Sequence, residues 1–312
     1  MSTPTLAVVA AGAMGAAVAR RFTTAGCTVL TNLEGRSAAT RARAVAAGMQ
    51  DVPMRELAAR SRWVLSILPP SDALAFATRY RDAYAESLQA TSGNKGAVRA
   101  AFADCNAVSP ETVKKIAALF VGSEIGFVDA GIIGGPPREG YDPVFYASAE
   151  PEDAQLLDDF VGLNQWGLKV SPLKGEGAGV GDASALKMSY AGIGKGITGL
   201  CTAMILAAHA SSPATAQALL HEMRASQPAI LQRITHSVPD MLPKAYRWVG
   251  EMEEISSFVG SGEGQIHQGL ARVYERVERS LKEEKEGGAG GEDVKVLRKF
   301  VEDAKKVIED SK

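Results

Sequence analysis

Along the first half of the chain, apolar residues fall in short β-branched runs separated by stretches where they recur every three or four positions. This is the mark of strands alternating with helices. Thr5 to Val9 reads as a strand, AAGAMG as a glycine turn and Ala16 to Thr24 as a helix. Cys27 to Thr31 follows as a strand, Ser37 to Ala47 as a helix, and Trp63 to Leu68 as a strand stopped by Pro69 and Pro70. Shorter strands are expected at Ala101 to Ala103, Gly126 to Val128 and Val144 to Ala147. Strands alternating with helices predict an α/β fold built on a doubly wound parallel sheet.

The pattern changes after about Val170. Pro172 and the glycine-rich KGEGAGVG lead into long helical-period stretches with few β-branched runs, so an all-helical second domain is expected. The division is placed at residues 1–172 and 173–312, with Ala183 to His209 as a long, largely buried first helix. Residues 282–293, KEEKEGGAGGED, read as a flexible joint. Beyond them, residues 294–312 form a terminal amphipathic helix, with Val294, Leu297, Val301, Ala304 and Ile308 on one stripe. No internal repeat is found.

Composition narrows the function. With 46% hydrophobic residues and a net charge of −2 from 34 basic and 36 acidic residues, the 312-residue chain is an ordinary globular one. It offers no general basic surface to nucleic acid. Cys27, Cys105 and Cys201 are three and far apart, which fits a reducing compartment better than a disulfide framework. The apolar start lacks the basic region of a signal peptide, and Ile197 to Ala208 is too short to cross about 30 Å of hydrocarbon, so a cytoplasmic, membrane-free protein is expected. The histidines show no ligand spacing, and no metal is expected.

A strand, a glycine turn and a helix together form the signature of a dinucleotide site, where helix amides meet pyrophosphate. Gly12 and Gly15 fill the second and third places of GxGxxG with Ala13 and Met14 between them, while Ala10 stands in the first. At the end of the second strand, where an acidic residue commonly binds the adenosine ribose, stands Asn32, with Arg36 and Ser37 close behind. That charge favours NADP over NAD; the alternative is that Glu34 turns inward to the ribose and leaves Arg36 in solvent.

With AAGAMG at 10–15, SILPP at 66–70, VDAGIIGGPP at 128–137 and GAGVGDASALKM at 177–188, the sequence resembles the β-hydroxyacid dehydrogenases, the 3-hydroxyisobutyrate and 6-phosphogluconate dehydrogenase superfamily. PKAYRWVGEMEEI at 243–255 resembles a branch whose C-terminal domain has no settled substrate. The resemblance implies an N-terminal Rossmann domain, an all-helical second domain and a site in the cleft between them. It also implies cofactor contacts at Leu68, Pro69 and Asn106, and a catalytic lysine at Lys187. Oxidising an alcohol requires proton removal as hydride leaves, and a partly desolvated lysine suits that task.

Departures from the family pattern matter too. Ala191 replaces the family asparagine four residues after the lysine, and Ile133 replaces the serine before Gly134 and Gly135, leaving those glycines to offer backbone amides to substrate. Gly194 and Lys195 replace the acidic and aromatic positions of a strict 6-phosphogluconate enzyme. Tyr190, one turn after Lys187, is either a second proton donor or a packed aromatic. Asn106 is either a cofactor contact or an Asx turn before Pro110, and Arg247 either binds a substrate carboxylate or pairs with Glu251.

The expected protein is an NADP-dependent oxidoreductase, NAD being possible, for a small polar or anionic substrate. A homodimer through the helical domains is expected from the apolar Ala183 to His209 segment. An imine reductase-like enzyme and a catalytically silent NADP-binding protein are the alternatives.

Overall fold

The computed structural model describes residues 3–90, 100–286 and 291–310. Its strands are β1 (Thr5–Val9), β2 (Thr28–Thr31), β3 (Gln50–Asp51), β4 (Trp63–Ser66), β5 (Ala101–Asp104), β6 (Gly126–Ile133), β7 (Val144–Ser148) and β8 (Val170–Pro172), in the sheet order β3-β2-β1-β4-β5-β6-β7-β8. Helices α1 (Ala13–Thr24), α2 (Ala38–Ala46) and α6 (Ala154–Val161) bury Phe22, Ala44 and Phe160 in the core on one face. Helices α3 (Met54–Arg60), α4 (Pro70–Ala90) and α5 (Pro110–Ala118) bury Leu57, Tyr80 and Ile116 in the core on the other.

The expected all-parallel sheet needs one correction. Neighbours from β3 to β6 run parallel, but β7 runs antiparallel to β6, because residues 134–143 join them without a crossover helix. The strand expected at Trp63 to Leu68 ends at Ser66, since Leu68 N–H bonds the Asn106 side chain instead of a ladder partner. By contrast, β6 runs on to Ile133, and β3 and β8 are too short to leave a pattern in the sequence.

The chain divides into two compact units, Met1–Met188 and Ser189–Lys312. The division falls inside helix α7 (Asp182–Ser211), not in the glycine-rich run before it, because the first turns of α7 pack on the sheet. That helix extends the expected Ala183 to His209 segment by one residue at its start and two at its end, and, unlike the 197–208 stretch alone, it is long and apolar enough to cross a membrane. Nor is it largely buried: Ile193, Leu200 and Met204 are half exposed or more.

The second unit continues with α8 (Pro213–Ser226), α9 (Pro228–Met241), α10 (Ala245–Val259), α11 (Gly264–Lys285) and α12 (Glu292–Glu309). The expected joint at 282–293 shrinks, because Lys282–Lys285 close α11 and Glu292 and Asp293 open α12; residues 287–290 lie outside the described residues. Val294, Leu297, Val301 and Ala304 are buried as the stripe predicts, and Arg276 binds Asp293 through two hydrogen bonds to tie α11 to α12.

Candidate active site

The glycine turn sits at the C-terminal end of β1. A Cβ on Gly15 would lie 1.9 Å from the Ala10 carbonyl oxygen, so any larger residue there breaks the turn, while a Cβ on Gly12 meets nothing within 4 Å. Gly12 is the N-cap of α1 without a side-chain cap, and the first turn holds no acidic residue. Exposed Ala13 opens the helix, and partly buried Met14 packs into the core beneath it. Open space in front of uncapped helix amides fits a dinucleotide pyrophosphate.

Around the end of β2, the candidate residues have partners of their own. Asn32 Nδ2 donates to the Val52 carbonyl over 3.1 Å, and Ser37 Oγ accepts from Thr40 N–H as the N-cap of α2. Arg36 lies 3.9 Å from Asp72 at the start of α4, both side chains a third or more exposed. Glu34 points outward to Arg79 at 3.7 Å, against the alternative in which it turns inward.

Deeper in, four neighbouring strands carry a polar row. Ser66, Asp104, Asp129 and Ser148 are register partners across β4, β5, β6 and β7, and each is buried to within 1%. Such a row costs desolvation unless it is bonded. Asn106 supplies the bonds on one side: its N–H and Nδ2 donate to the two Asp104 oxygens, Nδ2 also donates to Ser66 Oγ, and its Oδ1 accepts from Leu68 N–H. The Asx-turn alternative is set aside, because Ser109 caps α5 in its place. Leu68 is thus buried and fixed, and Pro69 beside it is exposed.

The start of α7 closes the other side. Asp129 accepts from Gly181 N–H, Ser184 N–H, Ser184 Oγ and Ser148 Oγ, which places a carboxylate against the positive end of a helix. Burial raises Asp104 to about 7 and Asp129 to about 6; the donors at Ser184 and Gly181 hold Asp129 lower, and Lys187 nearby lowers both. Gly131 on β6 lets the helix approach: a Cβ there would sit 2.7 Å from the Ala183 carbonyl oxygen and 3.1 Å from Lys187 Cβ. Lys187, half-buried, then donates from Nζ to the Asn106 carbonyl over 3.2 Å.

The remaining candidates are less engaged. Gly134 takes a φ of 127°, and Gly135 N–H donates to Tyr141 Oη over 3.2 Å, so that amide has a partner within its own loop. In the second unit, Tyr190 is 62% exposed. Arg247, also exposed, reaches Glu251 at 3.6 Å on its own helix, and Lys195 meets the same carboxylate at 2.5 Å, which favours the ion-pair alternative for both cations. Sequence reasoning missed Ser66, Asp104, Asp129, Ser148 and Ser184. The signal available was a single polar residue closing each of three otherwise apolar strands.

Residues 5–164 match the family described as the NAD binding domain of 6-phosphogluconate dehydrogenase, and residues 210–277 match a domain of unknown function, DUF1932. Among solved structures, the conserved protein MTH1747, whose structure revealed similarity to 3-hydroxyacid dehydrogenases, is 26% identical over 88% of this chain and 97% of its own, with a TM-score of 0.62. Mycobacterium tuberculosis 3-hydroxyisobutyrate dehydrogenase, solved with L-serine, is 16% identical over 88% of this chain and 94% of its own, with a TM-score of 0.56. An imine reductase from Myxococcus stipitatus, in complex with NADP+, is 18% identical over 96% of this chain and 100% of its own, with a TM-score of 0.51. No curated protein matches the chain.

Proposed function

Because the chain belongs to the β-hydroxyacid dehydrogenase superfamily, with the NAD-binding domain of 6-phosphogluconate dehydrogenase at its start, we propose that it moves a hydride between NADP(H) and a small polar hydroxy acid or carbonyl compound. An NAD(P)-dependent dehydrogenase or reductase follows from the membership itself. The NADP preference, the substrate class and the role of Lys187 are the proposal. The observation that carries it is Lys187 Nζ held on the Asn106 carbonyl beside the buried Asp104 and Asp129.

The bound nicotinamide supplies the hydride acceptor or donor. Lys187 takes the hydroxyl proton during oxidation and returns it to the carbonyl oxygen during reduction. The Asn106 carbonyl orients its Nζ, and the two aspartates set the field around it. Gly12 to Gly15 would hold the pyrophosphate, and Leu68, Pro69 and Asn106 are the residues that would line the nicotinamide. Glu34 is engaged by Arg79 and Asn32 is neutral, so the region around Arg36 repels a 2'-phosphate less than an acidic ribose ligand would.

A homodimer is part of the proposal, supported by the exposed stripe of Ile193, Leu200 and Met204 on α7. The cytoplasm is the proposed location, and free Cys27, Cys105 and Cys201 suit it.

The experiment is deuterium transfer from nicotinamide-labelled NADPH to a panel of small oxo acids, aldehydes, ketones and imines. Deuterated hydroxy acid or alcohol is the expected product. Deuterated amine alone would move the reaction to imines, and tight NADPH binding with no transfer to any compound would make the protein a silent binder.

A further inference from the structure

A groove of about 510 Å³ runs along α1, and none of the polar-row residues lines it. Ala13, Ala16, Ala17 and Ala46 line it together with Arg20, Arg21, Arg43 and Arg138, and Glu139 is the one acidic lining residue among the described residues. From Ala13 to Thr24 the lining follows the twelve residues of α1, about 16 Å from first to last, whereas a cofactor at the glycine turn meets the N-terminal end of α1. The groove shares Ala13 with the cofactor turn and runs on from it along the helix, so most of its lining lies outside that turn.

Its arginines are unlike most others in the same unit. Arg36 faces Asp72, Arg41 faces Asp51, Arg60 faces Glu56 and Arg62 faces Asp159. Of the groove arginines, Arg21 has Asp142 as partner. Arg20, Arg43 and Arg138 have no carboxylate partner among the described residues. Arg20 donates to the Ala46 carbonyl, Arg43 to the Ala11 carbonyl and Thr40 Oγ1, and Arg138 lies over the Tyr141 ring at 4.8 Å. Three guanidinium groups thus line one cavity, and Glu139 is the acidic residue among its described lining. Alanines leave room for a ligand between them, and the volume lies in the range of small-molecule sites.

We propose that this groove binds a small polyanion, a molecule with two or more phosphate or carboxylate groups, bridged between Arg20 and Arg43 on the helices and Arg138 on the loop. Guanidinium groups give such anions paired, charge-assisted hydrogen bonds. Arg43 also holds the glycine turn through Ala11, so Arg20 and Arg138 are the residues to change.

The test is calorimetric titration of the full chain with pyrophosphate and with citrate at matched ionic strength, with and without saturating NADPH. Either anion is expected to bind, NADPH is expected not to displace it, and Arg20→Ala and Arg138→Ala should each weaken it about tenfold, the loss of one charge-assisted pair. Arg55→Ala, outside the groove, should leave the affinity unchanged, and thermal melts of all three variants check that they fold. Absence of binding by both anions overturns the proposal. So does full displacement by NADPH, which would put the anion at the cofactor turn, and so does equal weakening by Arg55→Ala, which would mark a diffuse surface effect. If NADPH itself fails to bind, the proposed enzyme activity falls while the anion titration still decides the groove.

Discussion

Lys187 Nζ donates to the backbone carbonyl of Asn106 over 3.2 Å, so the amine on α7 is held by the residue whose side chain ties the end of β4 to β5. The lysine is placed from two directions. Asn106 fixes where its tip lies, and Asp129 with Gly131 fixes where its helix begins. A displacement of either support moves the amine relative to the strand ends, where ligands of open α/β sheets bind.

Both buried aspartates should tie stability to pH. Burial raises Asp104 to about 7 and Asp129 to about 6, above the ordinary 3.8, so between about pH 4 and 7 the folded protein holds more protons than the unfolded chain. Their contribution to stability is fully present below that window and is lost as pH rises through it, by at most about 1.4 kcal/mol per pH unit for each group. Asp104→Asn removes one titrating group. Urea midpoints measured across the window should fall less steeply in the variant than in the wild type; parallel slopes would contradict the assignment.

The seating of α7 is tested at Gly131 and Asp129. Gly131→Ala puts a methyl 2.7 Å from the Ala183 carbonyl oxygen, where both neighbours are backbone-bound, and overpacking of this kind costs about 1–3 kcal/mol. Asp129→Ala strips the acceptor from Gly181 N–H and Ser184 N–H, each a buried donor whose loss costs about 1–3 kcal/mol. Thermal unfolding should show both losses. Conservative Asp129→Asn should recover part of the stability, because an amide oxygen still accepts from Ser184.

Much of this architecture was legible from periodicity. Thr5–Val9 and the helix after it follow directly from an apolar run and a glycine turn, since local pattern and tertiary role agree there. The reversal of β7 was not legible, because an isolated four-residue apolar run carries no direction. The polar row was partly legible: Asn106 and Lys187 stood in motifs, but Asp104 and Asp129 fall just past the strands expected at Ala101 to Ala103 and Gly126 to Val128, with nothing in the local pattern to single them out. Their burial depends on α7 folding back from more than fifty residues away in sequence, which no local spacing records. Arg247 was misleading for the opposite reason, since its local partner Glu251 was visible and is the one it uses.

The proposed NADP preference is tested at Arg36. Arg36→Ala should weaken NADPH about tenfold or more and leave NADH nearly unchanged, because one charge-assisted contact serves the 2'-phosphate alone. The nearby Asp72 adds a second arm: Asp72→Ser frees Arg36 and removes a repelling charge, so NADPH should bind more tightly. Equal effects of both changes on the two cofactors, read by fluorescence titration, would remove Arg36 from the site.

Self-association is expected through α7. Ile193, Leu200 and Met204 recur at helical spacing and are exposed by 66%, 57% and 51%. Light scattering at micromolar concentration should give a dimer, and Leu200→Glu with Met204→Lys should give a folded monomer. A wild-type monomer would contradict the proposal.

Lys187→Met is the decisive change for mechanism. Methionine keeps the length and the apolar stem against Gly131 while deleting the ionisable amine, so the fold and the cofactor affinity should persist. If Lys187 transfers the proton, turnover falls by about a hundredfold to ten-thousandfold, equivalent to about 2.7–5.5 kcal/mol of transition-state free energy. A lysine that merely binds a carboxylate would chiefly raise KM and leave kcat near normal. The pH profile separates the two readings again, since proton transfer predicts an ionisation in the wild type that is missing from the variant. Arginine at the same position makes the final distinction: Lys187→Arg preserves the charge but cannot give up its proton near neutral pH, so it should recover binding without turnover. A fully active Lys187→Arg enzyme would show that charge, and not proton transfer, is what the site requires.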